Sequence, residues 1–232
     1  MTDYATFQEC RSYVAAHLHA KLHPDRPVNK KLPAVTISRQ TGARGRTIGL
    51  KLQNALRAKN PKAEIPWTLF DDNLVEKILE DHDLPADLEK FMPDDALGEL
   101  ESSINEILGR HPSLWSLHEK TVDTIVRLCR MGHSIVVGRG GNLITGGFPN
   151  VLSVRLIGSE KHRIRQMTEV HGMSLEGAKD FIKKEDAARA RYVKKHYSAD
   201  IDDPMLYNLV ISTDQLSDDA IVAMLVTAIE TY

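Results

Sequence analysis

Apolar positions along the chain repeat with two periods, and the alternation between them sets out the fold. Short runs rich in β-branched residues occur at Val35-Thr36-Ile37, from Trp67 to Phe70, at Ser134-Ile135-Val136-Val137, from Val151 to Ile157 and from Tyr207 to Ile211. Each has the length of a strand and is bounded by turn-forming residues. Between them the apolar residues recur at helical spacing. Ile48, Leu50, Leu52 and Leu56 predict a helix from about Thr47 to Lys59, ended by Pro61. Leu117, Val122, Ile125, Val126 and Cys129 predict a longer one from Ser113 to Met131, with Gly132 as its stop. Ser159 caps a helix to about Val170, a further helix begins at Ser174, and an apolar helix from Ser217 to Ile229 closes the chain. Five strands alternating with helices predict an α/β three-layer sandwich around a five-stranded parallel sheet, with function at the C-terminal ends of the strands.

Two segments stand outside this alternation. Phe7, Tyr13, Val14, Ala15 and Leu18 share a helical face ahead of a proline-containing stretch, which predicts a helical extension over residues 1–32, packed on the core or on a partner. A homodimer through that helix is one arrangement of this kind. His17, His19 and His23 invite a metal reading, but positions two apart do not share a helical face, so no metal site is expected there. From 71 to 112 the chain turns acidic, with only Lys77, Lys90 and Arg110 opposing, and Leu74, Ile78, Leu97, Leu100, Ile104 and Ile107 predict helices parted at Pro85 and Pro93. This reads as a helical insertion over one edge of the sheet.

Composition narrows the class. With 232 residues, 42% hydrophobic and 27% charged, the chain can bury a core of ordinary size. Thirty basic against 32 acidic residues give a formal charge of −2, so the basic excess of a nucleic-acid binder is missing. No apolar run approaches the ~20 residues that span a bilayer, and Asp3 and Glu9 interrupt any secretory h-region, so no membrane partner is expected. Cys10 and Cys129 fit no metal or redox spacing, which suggests reduced thiols in a cytoplasmic protein.

The richest chemistry lies between Val35 and Leu50. A strand gives way to a loop with Gly42 and Gly45, and a helix follows, which is how successive backbone N–H groups and a helix N-terminus come to face one phosphate. Against the pattern Gly-x4-Gly-Lys-Ser/Thr, Gln40 stands at the first glycine and Arg46 at the lysine, while Gly45 and Thr47 keep their places. Arg46 can supply charge through a planar fork, and Thr47 keeps the hydroxyl that would face a magnesium ion. The residues alone leave two readings open: a phosphate loop, or an ordinary strand-to-helix turn that uses glycine for its backbone angles. The strand Ser134-Ile135-Val136-Val137 ends in Gly138-Arg139-Gly140-Gly141-Asn142, a glycine turn at a strand's C-terminal end where an arginine meets either an anion or solvent. The helix after Ser174 carries Lys183, Lys184, Arg189, Arg191, Lys194 and Lys195 against Glu185 and Asp186. It is either a solvated face or a lid, over about 172–200, whose arginines close on transferring phosphates.

Together these segments resemble the cytidylate kinase-like family of P-loop kinases, over roughly residues 33 to 230. The most specific piece is Ile37-Ser38-Arg39-Gln40-Thr41-Gly42-Ala43-Arg44-Gly45-Arg46, similar to that family's Ser-Arg-Gln-x-Gly opening. The resemblance implies a P-loop kinase domain over 33–232, with residues 71–112 as an acceptor-binding insertion. It implies ATP and Mg²⁺ as cofactors, a small nucleotide as substrate, and residues Gln40 to Thr47 with Thr213 around the donor. It further implies that Asp71, Lys77, Arg139 and Gly140 face the acceptor, and that Asp186, Arg189 and Arg191 serve transfer beside Arg46 and Arg139. Lys77 and Gly140 depart from the arginine and aspartate the family uses there, so CMP or dCMP is only the first expectation. A nucleotide-binding regulator and a kinase of a non-nucleotide metabolite are the alternatives.

Overall fold

The computed structural model describes residues 8–10, 12–17, 32–71, 115–138 and 140–232, those at 115–120 as backbone only. The expectations for Lys77, for Arg139 and for the helical insertion beyond Asp71 lie outside the described residues.

The strands are β1 (Ala34–Arg39), β2 (Thr68–Phe70), β3 (Ser134–Val137), β4 (Val151–Ile157) and β5 (Leu209–Ser212). The helices are α1 (Gly45–Lys59), α2 (Trp115–Met131), α3 (Gly141–Ile144), α4 (Glu160–His171), α5 (Leu175–Tyr197) and α6 (Asp218–Thr231), with a 3₁₀ turn at Pro204–Leu206. All strand pairs are parallel, in the order β2-β3-β1-β4-β5. β1 is therefore central, and the chain reverses its direction of progress across the sheet beside it. In an open parallel sheet the crevice at such a point is where ligands sit.

The strand residues alternate between two cores, which makes the three layers. Val35 and Ile37 of β1, with Ile135 and Val137 of β3, pack with Ile48, Leu52 and Leu56 of α1 and with Ile221, Leu225 and Ile229 of α6. Ala34, Val136 and Phe70 face the other way, against Val122, Ile125 and Cys129 of α2. Gly49 lies where α1 meets the sheet, and a Cβ there would stand 2.9 Å from Leu69 and 3.3 Å from Val137. Bulkier residues would hold the helix off the strands.

Three helices begin where hydroxyl side chains predict. Ser159, Ser174 and Ser217 each accept from the backbone N–H three residues on, that of His162, Gly177 and Ala220. Two short elements, α3 and the 3₁₀ turn, carry too little periodicity for the sequence to show.

Residues 8–10 and 12–17 are helical and close the second core. Cys10, Tyr13 and Val14 are buried there, whereas Ala15, expected on the same face, is exposed. The Tyr13 hydroxyl donates to the Gly132 carbonyl, and its ring stands edge-on to Phe70 at 5.3 Å and to His17 at 4.6 Å. Burial pushes the Cys129 thiol up to about 12. Burial, then the neighbouring His133, lowers the His17 imidazole from 6.5 to about 4.

A histidine buried in neutral form makes stability depend on acid. Its folded pKa lies below its unfolded one, so the contribution is complete above pH 6.5 and is lost as pH falls toward 4. Between pH 7 and pH 5 this amounts to about 2 kcal/mol. Urea unfolding at the two pH values should therefore show a smaller loss in His17→Gln than in the parent chain. Equal losses in both proteins would contradict a neutral, buried His17.

Candidate functional site: the loop after β1 and the cavity beside it

At the C-terminal end of β1 the chain turns through Gln40 to Arg44 into α1. Gln40 fixes the start of the turn. Its N–H donates to the Leu156 carbonyl at 3.0 Å, its side-chain oxygen accepts from Gly158 N–H at 3.0 Å, and its carbonyl accepts from Ala43 N–H at 3.1 Å. Gly42 has φ +80, and a Cβ there would meet the Arg163 carbonyl at 2.7 Å, so conformation and space both require glycine. Arg44, the N-cap of α1, adopts a left-handed conformation (φ 59) that is uncommon for a side chain of its size.

That conformation has a visible partner set. The Arg44 guanidinium donates to Asp218 Oδ1 at 2.6 Å, to the Thr213 carbonyl at 2.5 Å and to the Leu216 carbonyl at 2.8 Å, tying the loop to the β5–α6 connection. A guanidinium has no acceptor to offer the helix N–H groups, so the side chain does not cap α1. The first-turn amides, from Gly45 to Thr47, lie beyond the reach of intrahelical acceptors and present the positive end of the helix. Thr213 itself is fully buried, with its hydroxyl donating to the Ile157 carbonyl at 3.0 Å. Arg46 and Thr47 are exposed, and Arg46 Nε pairs with Asp71 Oδ2 at 2.9 Å across the end of β2.

A second set of contacts fastens the loop to α4 and α5. Asp186 Oδ1 accepts from the Thr41 N–H at 2.8 Å and from the Thr41 hydroxyl at 2.7 Å. Its other oxygen accepts from Arg163 Nη1 at 2.5 Å, and the same nitrogen donates to the Thr41 carbonyl at 3.2 Å. Arg189 donates to the Thr41 hydroxyl at 2.6 Å. Asp186, expected beside an acceptor, is thus occupied with the loop. Arg191 is exposed and does not line the cavity described next.

Between the sheet and α5 lies a cavity of about 330 Å³. Ser38 and Arg39 from β1, Asn142 from α3, and Glu185, Arg189 and Tyr192 from α5 contribute its polar lining. Gly138 and Gly140 form its wall below β3. Gly140 has φ +72, and the Tyr197 ring would stand 2.8 Å from a Cβ at that position. An aspartate there would displace the tyrosine. Glu185, Arg189 and Tyr192 recur at four and three residues, so one face of α5 overhangs the cavity.

The structure thus joins Thr41, Asp186 and Arg189 directly, places Arg189 and Gly140 on one cavity, and pairs Arg46 with Asp71 at its own side of the loop. Sequence reasoning gave no role to Arg163, one of several basic residues in the helix after Ser159, or to Arg155, which is buried on β4. Arg155 did leave a signal. A lone arginine inside an otherwise apolar strand has to find partners when buried. Among the described residues no group of three or more His, Cys, Asp or Glu side chains could hold a metal ion, and no helix is long and apolar enough to cross a membrane.

A parallel sheet with β1 at its centre and a glycine loop leading into an uncapped helix form an α/β fold of the kinase-like, nucleotide-binding class to which the family model assigns the chain. The chain belongs to the cytidylate kinase-like family, whose model matches residues 34–215. Among solved structures it is similar to an uncharacterized protein from Eubacterium ventriosum ATCC 27560, with 17% identity, a TM-score of 0.67, and coverage of 88% of this chain and 100% of that one. At that identity the likeness concerns the fold alone. Weaker likenesses, both with TM-score 0.45, are to shikimate kinase from Bacteroides thetaiotaomicron (14% identity, covering 85% of this chain and 98% of that one) and to shikimate kinase from Acinetobacter baumannii in complex with shikimate (13% identity, 86% and 94%). No curated protein matches the chain.

The ion pair of Arg163 and Asp186 is mostly buried and is shared with three atoms of Thr41. Replacing Arg163 by methionine leaves the carboxylate with the more distant Arg189 Nη1, at 3.4 Å, as its charge partner, and should lower stability by about 2 kcal/mol. Urea unfolding gives the number, and hydrogen exchange at Thr41 to Ala43 should quicken beyond the global change. A loss under about 0.5 kcal/mol would mean that the pair does not hold the loop.

Proposed function

We propose that the protein transfers the terminal phosphoryl group of ATP to a small phosphate acceptor, a nucleoside monophosphate with CMP and dCMP as first candidates. The observation behind this reading is the juxtaposition at the end of β1. A loop whose helix N-terminus lacks a side-chain cap stands next to a cavity that contains Arg39 and Arg189. In this account the amides of Gly42 to Thr47 receive the donor phosphates. Arg46 leaves Asp71 to reach them, and Thr213 and Arg44 form the floor beside the donor.

Mg²⁺ is implied by the family, and the donor set fits it. Magnesium keeps several waters and takes one or two protein ligands with the phosphates, so an exposed Thr47 hydroxyl is a sufficient protein contribution. Bound there, the ion would neutralise charge on the transferring phosphates. An acceptor that is already a phosphate needs no strong general base, and the protein's task becomes alignment and charge stabilisation. Arg189, with Arg139 from the same strand end as Gly140, is the group assigned to that charge. An arginine in such a role contributes roughly 10³ to 10⁵ in rate. Asp186 contributes by holding Thr41.

The pairing of Arg46 with Asp71 favours a second reading, a nucleotide-binding regulator in which Arg46 never engages phosphate. One experiment separates the two. ADP release is followed with magnesium and ATP across CMP, dCMP, UMP, AMP and GMP, in the parent chain, Arg46→Ala and Arg189→Ala. The kinase reading expects turnover with at least one monophosphate, a loss of 10²-fold or more in Arg189→Ala, and a clear loss in Arg46→Ala. ATP binding without release for any acceptor would replace it by the regulatory reading.

A further inference from the structure

Ser38 is the penultimate residue of β1 and, with Arg39, lines the cavity. Its neighbours are unusual for a strand residue. Arg155, aligned with it on β4, is buried at 4% exposure and donates through Nη1 to the Ser38 hydroxyl oxygen at 2.8 Å. The other end of that guanidinium is held by Asp202 at 2.6 Å, and its face stands 5.7 Å from the Tyr207 ring. The Tyr207 hydroxyl lies 2.9 Å from the Ile201 carbonyl and 3.4 Å from Ser38 Oγ.

Counting donors settles where the Ser38 proton goes. Tyr207 has one proton, and the shorter contact assigns it to the Ile201 carbonyl. Arg155 has only protons to give, so Ser38 accepts from it. The remaining contact for the Ser38 proton, the Tyr207 oxygen, is at 3.4 Å, beyond the usual 2.5–3.0 Å of an O–H···O bond. A buried cation thus fixes the serine as a donor whose best remaining direction is the cavity.

We propose that Ser38 binds an oxygen of the phosphate acceptor, and that Arg155 and Tyr207 are positioning residues for it. The inference rests on reading the cavity as the acceptor site. It separates binding at the β1 strand end from donor binding at the loop, since Ser38 belongs to the cavity and makes no contact with residues 41–47 among its hydrogen bonds. A merely structural role for this network, fastening the 198–207 segment to β4, would use the serine hydroxyl only as an acceptor for Arg155, and its loss would act on stability and not on monophosphate affinity alone.

Calorimetric titration of the five monophosphates into the parent chain, Ser38→Ala and Ser38→Thr, each with a non-hydrolysable ATP analogue present, tests it. Ser38→Ala should weaken the bound monophosphate about five- to tenfold, the worth of one hydrogen bond. It should leave the affinity for the ATP analogue within about twofold, and Ser38→Thr should recover most of the loss. Ser38→Ala also removes the acceptor of a buried Arg155 N–H, so its unfolding midpoint should fall by about 2–6 °C, with the Arg155–Asp202 pair still in place, and Ser38→Thr should restore it. An unchanged monophosphate affinity in Ser38→Ala overturns the assignment while leaving the proposed function standing. A parallel loss for the ATP analogue, or a loss that tracks a fall in unfolding midpoint and is not recovered by threonine, overturns it in favour of a structural role. If none of the monophosphates binds the parent chain, this inference and the acceptor reading fall together.

Discussion

Thr41 has four hydrogen-bond contacts with side chains more than 120 residues further along the chain, and the shape of the loop depends on them. Its N–H and hydroxyl meet Asp186, its carbonyl meets Arg163, and its hydroxyl also accepts from Arg189. A glycine loop alone would sample many conformations, because glycine removes the steric limits on φ. Here Arg163, Asp186 and Gln40 hold one end while Arg44 fastens the other to the β5–α6 connection. The amides of α1 are left pointing outward from a fixed frame, which is the preorganisation that electrostatic binding of phosphate requires.

The sheet order explains why this frame stands where it does. β1 lies between β3 and β4, so residues from both neighbours reach its C-terminal end: the Gly138 and Gly140 wall from one side, Arg155 and Gly158 from the other. The apolar faces of the same strands anchor α1 and α6 on one layer and α2 with the N-terminal helical residues on the other. α5 differs from these helices. Few of its side chains are buried, and it is held across the strand ends by Ala178, Ile182 and Val193 together with the polar clamp at Asp186. Its basic residues therefore divide, with Arg189 turned to the loop and cavity and Arg191, Lys194 and Lys195 to solvent.

Much of the architecture was legible in the sequence because its signals are local. Strand runs such as Val151 to Ile157 and caps such as Ser159 and Ser174 depend on neighbours within a few residues. The loop was legible as a class, from Gly42, Gly45 and the strand before them. Its geometry was not. Whether Arg163 faces solvent or Thr41 depends on which helix packs across the strand ends, and periodicity carries no information about a partner 122 residues away. The same is true of Arg44, whose left-handed backbone becomes understandable only with Asp218 and the Thr213 carbonyl in view. Asp186 was visible as a carboxylate three residues before Arg189, but its partner Thr41 could not be read from its own segment.

In the function proposed above, the loop after β1 holds the phosphates of a nucleotide in the conformation already present. Hydrogen exchange resolved by peptide, with and without Mg²⁺ and a non-hydrolysable ATP analogue, is the decisive measurement. Exchange should slow across Gly42 to Thr47, change little at Thr41, which is already bonded, and stay unchanged across α2. Binding of the analogue with residues 42–47 unaffected would contradict it.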